Sequence, residues 1–221
     1  RNENKTCHLE EFQHTARMDV SILGSPIPDA AAAGSCLATG VKCPPGTYSL
    51  SPDGKPLPTL MEKAQATGRS IGIISSGSLS GGVASAFLVH SASADNVVHH
   101  AAQILAARPQ VLMGSDLEVF QAVSGATRGT MLDQMQDEGY TLVVDDASRL
   151  HRAKSSHLAA FFSYRFRADR RHYQNVPDGL RQMFYKVVQI LRRNPRGFFL
   201  VIENPALDYS CRVGDIAGIA S

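Results

Sequence analysis

Residues 180–203 read LRQMFYKVVQILRRNPRGFFLVIE, and the change of period inside them decides the fold. Leu180, Met183, Phe184, Val187, Val188 and Leu191 recur at helical spacing and predict an amphipathic helix. Gly197 ends it. Phe198-Phe199-Leu200-Val201-Ile202 follows, apolar at every position, and predicts a fully buried strand. Strands of that kind lie in parallel sheets with helices on both faces.

The same alternation recurs upstream. Asp29 follows Pro28 and predicts the N-cap of a helix of small residues, Ala30 to Ala38. Such a helix either packs very closely or offers its N-terminus to a ligand. Residues 43–58 read as a Pro/Gly/Ser loop. Thr59 and Glu62 form a capping box for a helix ended by Gly68. Ile71-Gly72-Ile73-Ile74 reads as a buried strand, followed by a Ser/Gly loop at 75–82. Asp95 predicts the cap of a helix with Val97, Val98, Ala101, Ala102 and Leu105 on one face. Short strands are expected at 111–113, 141–144 and 158–162, with a helix at 130–138. The fold class is therefore α/β, a mostly parallel sheet flanked by helices. Residues 1–221 read as one domain, with an irregular segment at 1–28.

The chain has 221 residues, 43% hydrophobic and 19% charged, which excludes a disordered chain and a disulfide-dense miniprotein. No apolar run is long enough to cross a bilayer. The net charge of +2 conceals a split. Residues 149–196 hold 12 Lys and Arg against Asp169 and Asp178, a local +10, while the rest carries −8. Arg165, Arg167, Arg170 and Arg171 interleave with Phe166 and Tyr173, and Arg192, Arg193 and Arg196 close the next helix. One reading is a solvated face with cations near a helix C-terminus. The other is a docking surface for an acidic protein, anionic lipid headgroups or nucleic acid.

Cys7, Cys36, Cys43 and Cys211 have no zinc-site spacing. They allow one or two disulfides if the chain is exported, and Asn4-Lys5-Thr6 is a glycosylation sequon. The start at Arg1 suggests a processed product or a fragment. Asp29 reads as a cap, the 75–82 loop as a plain flexible connector in preference to a backbone cradle for an anion, and His99, His100, His151 and His157 as surface or capping histidines.

Three ordered segments resemble the alkaline phosphatase family. Residues 29–42 resemble its Asp-Ser-Ala-Ala-Thr-Ala-Thr-Ala-x-x-Thr-Gly-Val-Lys helix. Residues 58–114 resemble the stretch between its capped helix and its Val-Ile-Leu-Gly-Gly-Gly strand. Residues 194–208 resemble its Gly-Phe-Phe-Leu-Met-Val-Glu segment and the aspartate beyond. The likeness runs over about residues 10–219 and covers only the middle of the family's domain.

The resemblance implies a seryl nucleophile at a helix N-terminus, two zinc ions, a third metal site and a phosphate-clamping arginine. The nucleophile position is Ala30 here, and the arginine position, four residues after His90, is Ala94. The third-metal Asp and Thr fall on Gly81 and Val83, while the glutamate matches Glu203. The zinc aspartate matches Asp208, and the zinc histidine falls on Arg212. Nothing in 1–28 matches the family's upstream metal aspartate.

Ser35, five residues past Ala30, lies roughly 140° around the helix and about 7.5 Å along it, so it cannot stand in. Arg212 has no lone pair for zinc, and an Asp208–Arg212 ion pair is expected in its place. Stripped of their partners, Glu203 and Asp208 read as vestigial or hydrogen-bonded structural acids.

The leading expectation is a catalytically inactive structural or interaction subunit without a cofactor. A protein partner, or a second copy, would complete its truncated sheet. One alternative is an active zinc- and magnesium-dependent phosphomonoesterase whose missing parts come from another chain. The other is a polyanion-binding module acting through 149–196. The resemblance and the Asn4 sequon point to an exported chain, with an organellar complex as the alternative.

Overall fold

The computed structural model describes residues 11–123, 129–162 and 179–215. Its centre is a five-stranded sheet in the order β3-β4-β2-β1-β5, with every pair parallel. The strands are β1 (Ser70–Ser75), β2 (Val111–Gly114), β3 (Thr141–Val144), β4 (Leu158–Phe161) and β5 (Phe198–Glu203). The helices are α1 (Ala30–Thr39), α2 (Leu60–Ala66), α3 (Val97–Ala106), α4 (Leu117–Phe120), α5 (Met131–Asp137), α6 (Ala147–Arg152), α7 (Gly179–Leu191) and α8 (Pro205–Arg212). A 3-10 turn spans Ala84–Phe87. Residues 12–28 form neither helix nor extended strand. No described helix is long and apolar enough to cross a membrane.

Alternation along β1 divides the core. Ile71 and Ile73 meet Met61 of α2, Ile104 of α3 and Met135 of α5 on one face. Ile74 joins Leu150 of α6 and Met183, Val187, Ile190 and Leu191 of α7 on the other. Gly72 points at α7, and a Cβ there would stand 2.9 Å from Leu191. The missing methyl lets α7 lie close against the sheet.

The small residues of α1 serve close packing. A Cβ on Gly34 would sit 2.8 Å from the Val83 carbonyl oxygen and 3.0 Å from the Ala86 methyl. The expected caps at Asp29 and Thr59 both form, the second as a full capping box.

Four details differ from the sequence reading. Asn96, not Asp95, caps α3, and its buried face is His100, Ala101, Ile104 and Leu105, with Val98 exposed. On α7, Phe184 is exposed and Lys186 buried, because α7 turns a polar side chain toward the end of α6. β5 is not fully buried. It stands at the sheet edge, with Phe198 38% and Ile202 46% exposed. Apolarity on both faces marks what a strand can bury, not what its neighbours cover. His100 is fully buried, not superficial.

Candidate functional site

In a parallel sheet the loops leaving the strand C-termini gather on one rim, where α/β proteins place their ligands. Here that rim brings together Glu203, the 75–83 loop, Ser115-Asp116 and residues joined to the start of α1.

Glu203 ends β5 and turns its carboxylate under the 3-10 turn. Oε1 accepts from the Val83 N–H at 3.0 Å and Oε2 from the Ala84 N–H at 3.2 Å, with the Ser75 hydroxyl at 3.5 Å. Burial pushes its pKa up, against the lowering effect of the bonds from Val83 and Ala84. Gly82, at φ +123, passes so close that a Cβ would sit 2.9 Å from Oε1. Its N–H donates to the hydroxyl of Tyr48 at 2.9 Å. Burial raises the pKa of Tyr48, helped by the nearby charges of Glu203 and Asp29.

The 75–82 loop is not a plain connector. It folds around Asp116. Oδ2 accepts from Leu79 N–H at 2.9 Å, Ser80 N–H at 3.0 Å, Ser80 Oγ at 2.7 Å and Ser78 Oγ. Ser115 Oγ reaches Oδ1 at 3.2 Å. Burial would raise the Asp116 pKa, but the donors of Ser78, Ser80 and Leu79 outweigh it and hold the carboxyl below its usual range. The loop is an anion cradle filled by the chain's own carboxylate. Sequence reasoning missed Asp116. The available signal was Ser-Asp directly after a strand, since Asp tolerates the left-handed φ of +74 found there.

At the start of α1, Asp29 is a cap, as read. Oδ1 accepts from Ala32 N–H at 2.9 Å and Oδ2 from Gly46 N–H at 3.0 Å. Ala30 stands exposed in the first turn with only a methyl to offer. Ser35 is fully buried. Its hydroxyl donates to Ala31 O at 2.8 Å, lies 3.2 Å from Thr47 O, and accepts from Ser49 N–H at 2.7 Å. It holds loop 47–49 to the helix and has no free direction.

The remaining positions scatter. Gly81 has no side chain, and the N–H of Val83 is taken by Glu203. Ala94 packs on the core in a turn outside any helix. His90, also outside a helix, contacts Glu62 Oε1 at 2.8 Å and Ser49 O at 3.0 Å. Asp208 and Arg212 pair at 3.0 Å along exposed α8.

These residues do not fit the family's metals. At the positions that the resemblance sets against metal donors, Gly81 and Val83 bring no donor side chain and Arg212 brings a guanidinium without a lone pair, while Glu203 already accepts from two backbone N–H groups. Among the described residues no group of three or more His, Cys, Asp or Glu could hold a metal ion.

His100 lies between Ser80 O at 2.8 Å and Ser93 O at 3.0 Å, edge-on to Tyr48. His99 and His151 are exposed, and His157 is half-buried against Tyr140. Cys36, Cys43 and Cys211 are free thiols. Arg192, Arg193 and Arg196 are exposed. Arg165, Arg167, Arg170, Arg171, Asn4 and Cys7 lie outside the described residues.

Comparison with known proteins yields one family. A family profile described as Alkaline phosphatase matches residues 1–218. Alkaline phosphatase 4 of Bacillus subtilis is 24% identical over 201 residues, covering 88% of this chain and 42% of that protein. Alkaline phosphatase of Escherichia coli is 26% identical over 229 residues, covering 82% and 49%. The solved alkaline phosphatase of the Antarctic bacterium TAB5 superposes with a TM-score of 0.82 at 12% identity, over 98% of this chain and 63% of that one. The chain spans about half the length of the curated relatives it matches.

Proposed function

The chain belongs to the alkaline phosphatase family, and from that premise we propose that it is a catalytically inactive member whose role is to bind other polypeptide. The observation that carries this reading is the start of α1. The position aligned with the nucleophile is a methyl, and the nearest hydroxyl, Ser35, is buried and bonded on three sides. Phosphoryl transfer through a covalent enzyme intermediate needs an oxygen there that can be deprotonated. The lost metal donors point the same way, since an unactivated hydroxyl is a weak nucleophile.

The binding role rests on β5 and α8. Among the described residues no strand pairs with the outer edge of β5. Phe198 and Ile202 on β5, with Leu207, Tyr209 and Val213 at and beyond α8, are all at least 38% exposed. An open edge of apolar strand is a template for another strand. In this reading a further polypeptide, a second copy or a separate chain, completes the sheet there.

Two measurements test the proposal. Hydrolysis of p-nitrophenyl phosphate with added zinc and magnesium should not exceed a heat-inactivated control, and turnover above it defeats the inactive reading. Sedimentation should show association that Ile202→Lys weakens. A concentration-independent monomer, together with no captured polypeptide, defeats the binding role.

A further inference from the structure

We propose that the cleft between the end of α6 and the last turns of α7 binds a small ligand carrying two or more phosphate groups. The cleft is an open depression of about 530 Å3 lined by Arg152, Lys154, Lys186, Gln189 and Arg193, with no acidic side chain among the described residues on its wall. It lies at the strand N-termini. The segments after α6 and α7 lead into β4 and β5, so this rim is opposite the one that holds Glu203. The inference therefore concerns a separate site and does not depend on whether the chain is inactive.

Cations near helix C-termini have an ordinary explanation, the attraction of the terminal carbonyls. Here one residue already meets that need. Lys186 is 7% exposed, and its ammonium donates to His151 O at 2.8 Å, Ala153 O at 2.9 Å and Gln189 Oε1 at 3.1 Å. Two of its N–H groups close the end of α6 and the third goes to Gln189 on α7 itself. Burial lowers its pKa, and the charge of Arg193 nearby lowers it further.

Arg152, Lys154 and Arg193 take no part in that cap among the described residues. None pairs with a carboxylate among the described residues, and the one bond of Arg193 is a 3.5 Å contact to Lys154 O. Three exposed cations from two elements converge on one concavity above a fourth. Guanidinium forks fit phosphate oxygens in pairs. A single phosphate dianion balances two of the three free charges and fills little of the cavity. A diphosphate or longer unit balances all three. The small extent of the patch, three cations at one depression, favours a compact ligand over a nucleic-acid strand or a membrane surface.

The test is calorimetric titration of the full chain in metal-free buffer with inorganic pyrophosphate, tripolyphosphate and orthophosphate. Saturable one-to-one binding is expected, with pyrophosphate at least tenfold tighter than orthophosphate and weaker at higher salt. Arg152→Gln with Arg193→Gln should weaken pyrophosphate binding at least tenfold at an unchanged urea midpoint. Lys154→Gln, at an exposed residue, supplies a second variant should the double one fold poorly. Absence of saturable binding overturns the proposal. So does loss of binding on charge removal at Arg165, Arg167, Arg170 and Arg171 with none at Arg152 and Arg193. Adsorption to phosphatidylserine vesicles that pyrophosphate does not displace also overturns it, in favour of a lipid surface.

Discussion

Replacing Asp116 tests whether the 75–82 loop is held by an internal anion. Its Oδ2 is the acceptor for the N–H groups of Leu79 and Ser80, both fully buried residues. In Asp116→Ala these two donors lose that partner inside the core, at about 1–3 kcal/mol each. The hydroxyls of Ser78 and Ser80 can rotate and find others, so they add little. Alanine at φ +74 adds about 1 kcal/mol, because it lacks the local bonds that let Asp rest there. The total is about 3–7 kcal/mol, a large share of the roughly 5–15 kcal/mol that holds a domain folded. Asp116→Asn keeps one oxygen and tolerates the same φ, so it should cost about half as much. Urea unfolding at pH 7 reads both through the midpoint and the slope. The pH dependence supplies an independent check. The folded carboxyl titrates below its unfolded value, so its stabilisation is complete above the unfolded pKa and disappears as pH falls through the folded one. The wild-type chain should lose stability with acid more steeply than Asp116→Asn. A cost below about 1 kcal/mol for Asp116→Ala, or equal costs for the two variants, refutes the cradle.

Three further outcomes follow from the geometry. Gly34→Ala places a methyl 2.8 Å from the Val83 carbonyl oxygen and should destabilise by roughly 1–3 kcal/mol in urea, with α1 and the 3-10 turn losing amide-exchange protection together. Ser35→Ala leaves the Ser49 N–H without its 2.7 Å acceptor and should cost about 1–3 kcal/mol, with no change in phosphatase assays. Glu62 titrates below its usual value although burial opposes this, because His90 and Thr59 bond to its carboxylate. Its contribution is present above the unfolded pKa and lost as pH falls, so Glu62→Gln should flatten the acid limb of a stability profile.

The α/β fold was legible because local signals and tertiary need agree. Thr59 with Glu62, and Asp29 after Pro28, specify helix starts through bonds made within a few residues. Ile71 to Ile74 is apolar because a central parallel strand is covered on both sides, and β1 is buried throughout. β5 carries the same pattern, yet among the described residues no strand lies on its far side, and nothing in the apolar run itself says so. The faces of α3 and α7 were misjudged for a related reason. Hydropathy treats His100 and Lys186 as surface residues. Each is buried because a distant carbonyl, Ser80 O or His151 O, waits for its N–H. Long-range satisfaction of polar groups has no periodicity to read.

The candidate site was legible only as losses. The resemblance located Ala30, Ala94, Gly81, Val83 and Arg212, but it could not show what the surrounding groups do instead. The two acids that match the family differ in this respect. Glu203 is tied into the fold, because removing it would strand the N–H groups of Val83 and Ala84 under the 3-10 turn. That requirement alone is enough to keep a carboxylate there, with or without metal. Asp208 has no such tie. Its pairing with Arg212 lies on a helix where both side chains are at least 65% exposed, and exposed pairs of that kind contribute about 0–1 kcal/mol. Of these two acids, therefore, only Glu203 is held by the fold. A comparison of Glu203→Ala with Asp208→Ala separates them. The first should lower the urea midpoint by an amount set by two unsatisfied N–H groups, about 2–6 kcal/mol, and the second should leave it nearly unchanged. Equal effects would mean that the carboxylate of Glu203 is as dispensable as a surface charge, and the structural account of this rim would fail with it.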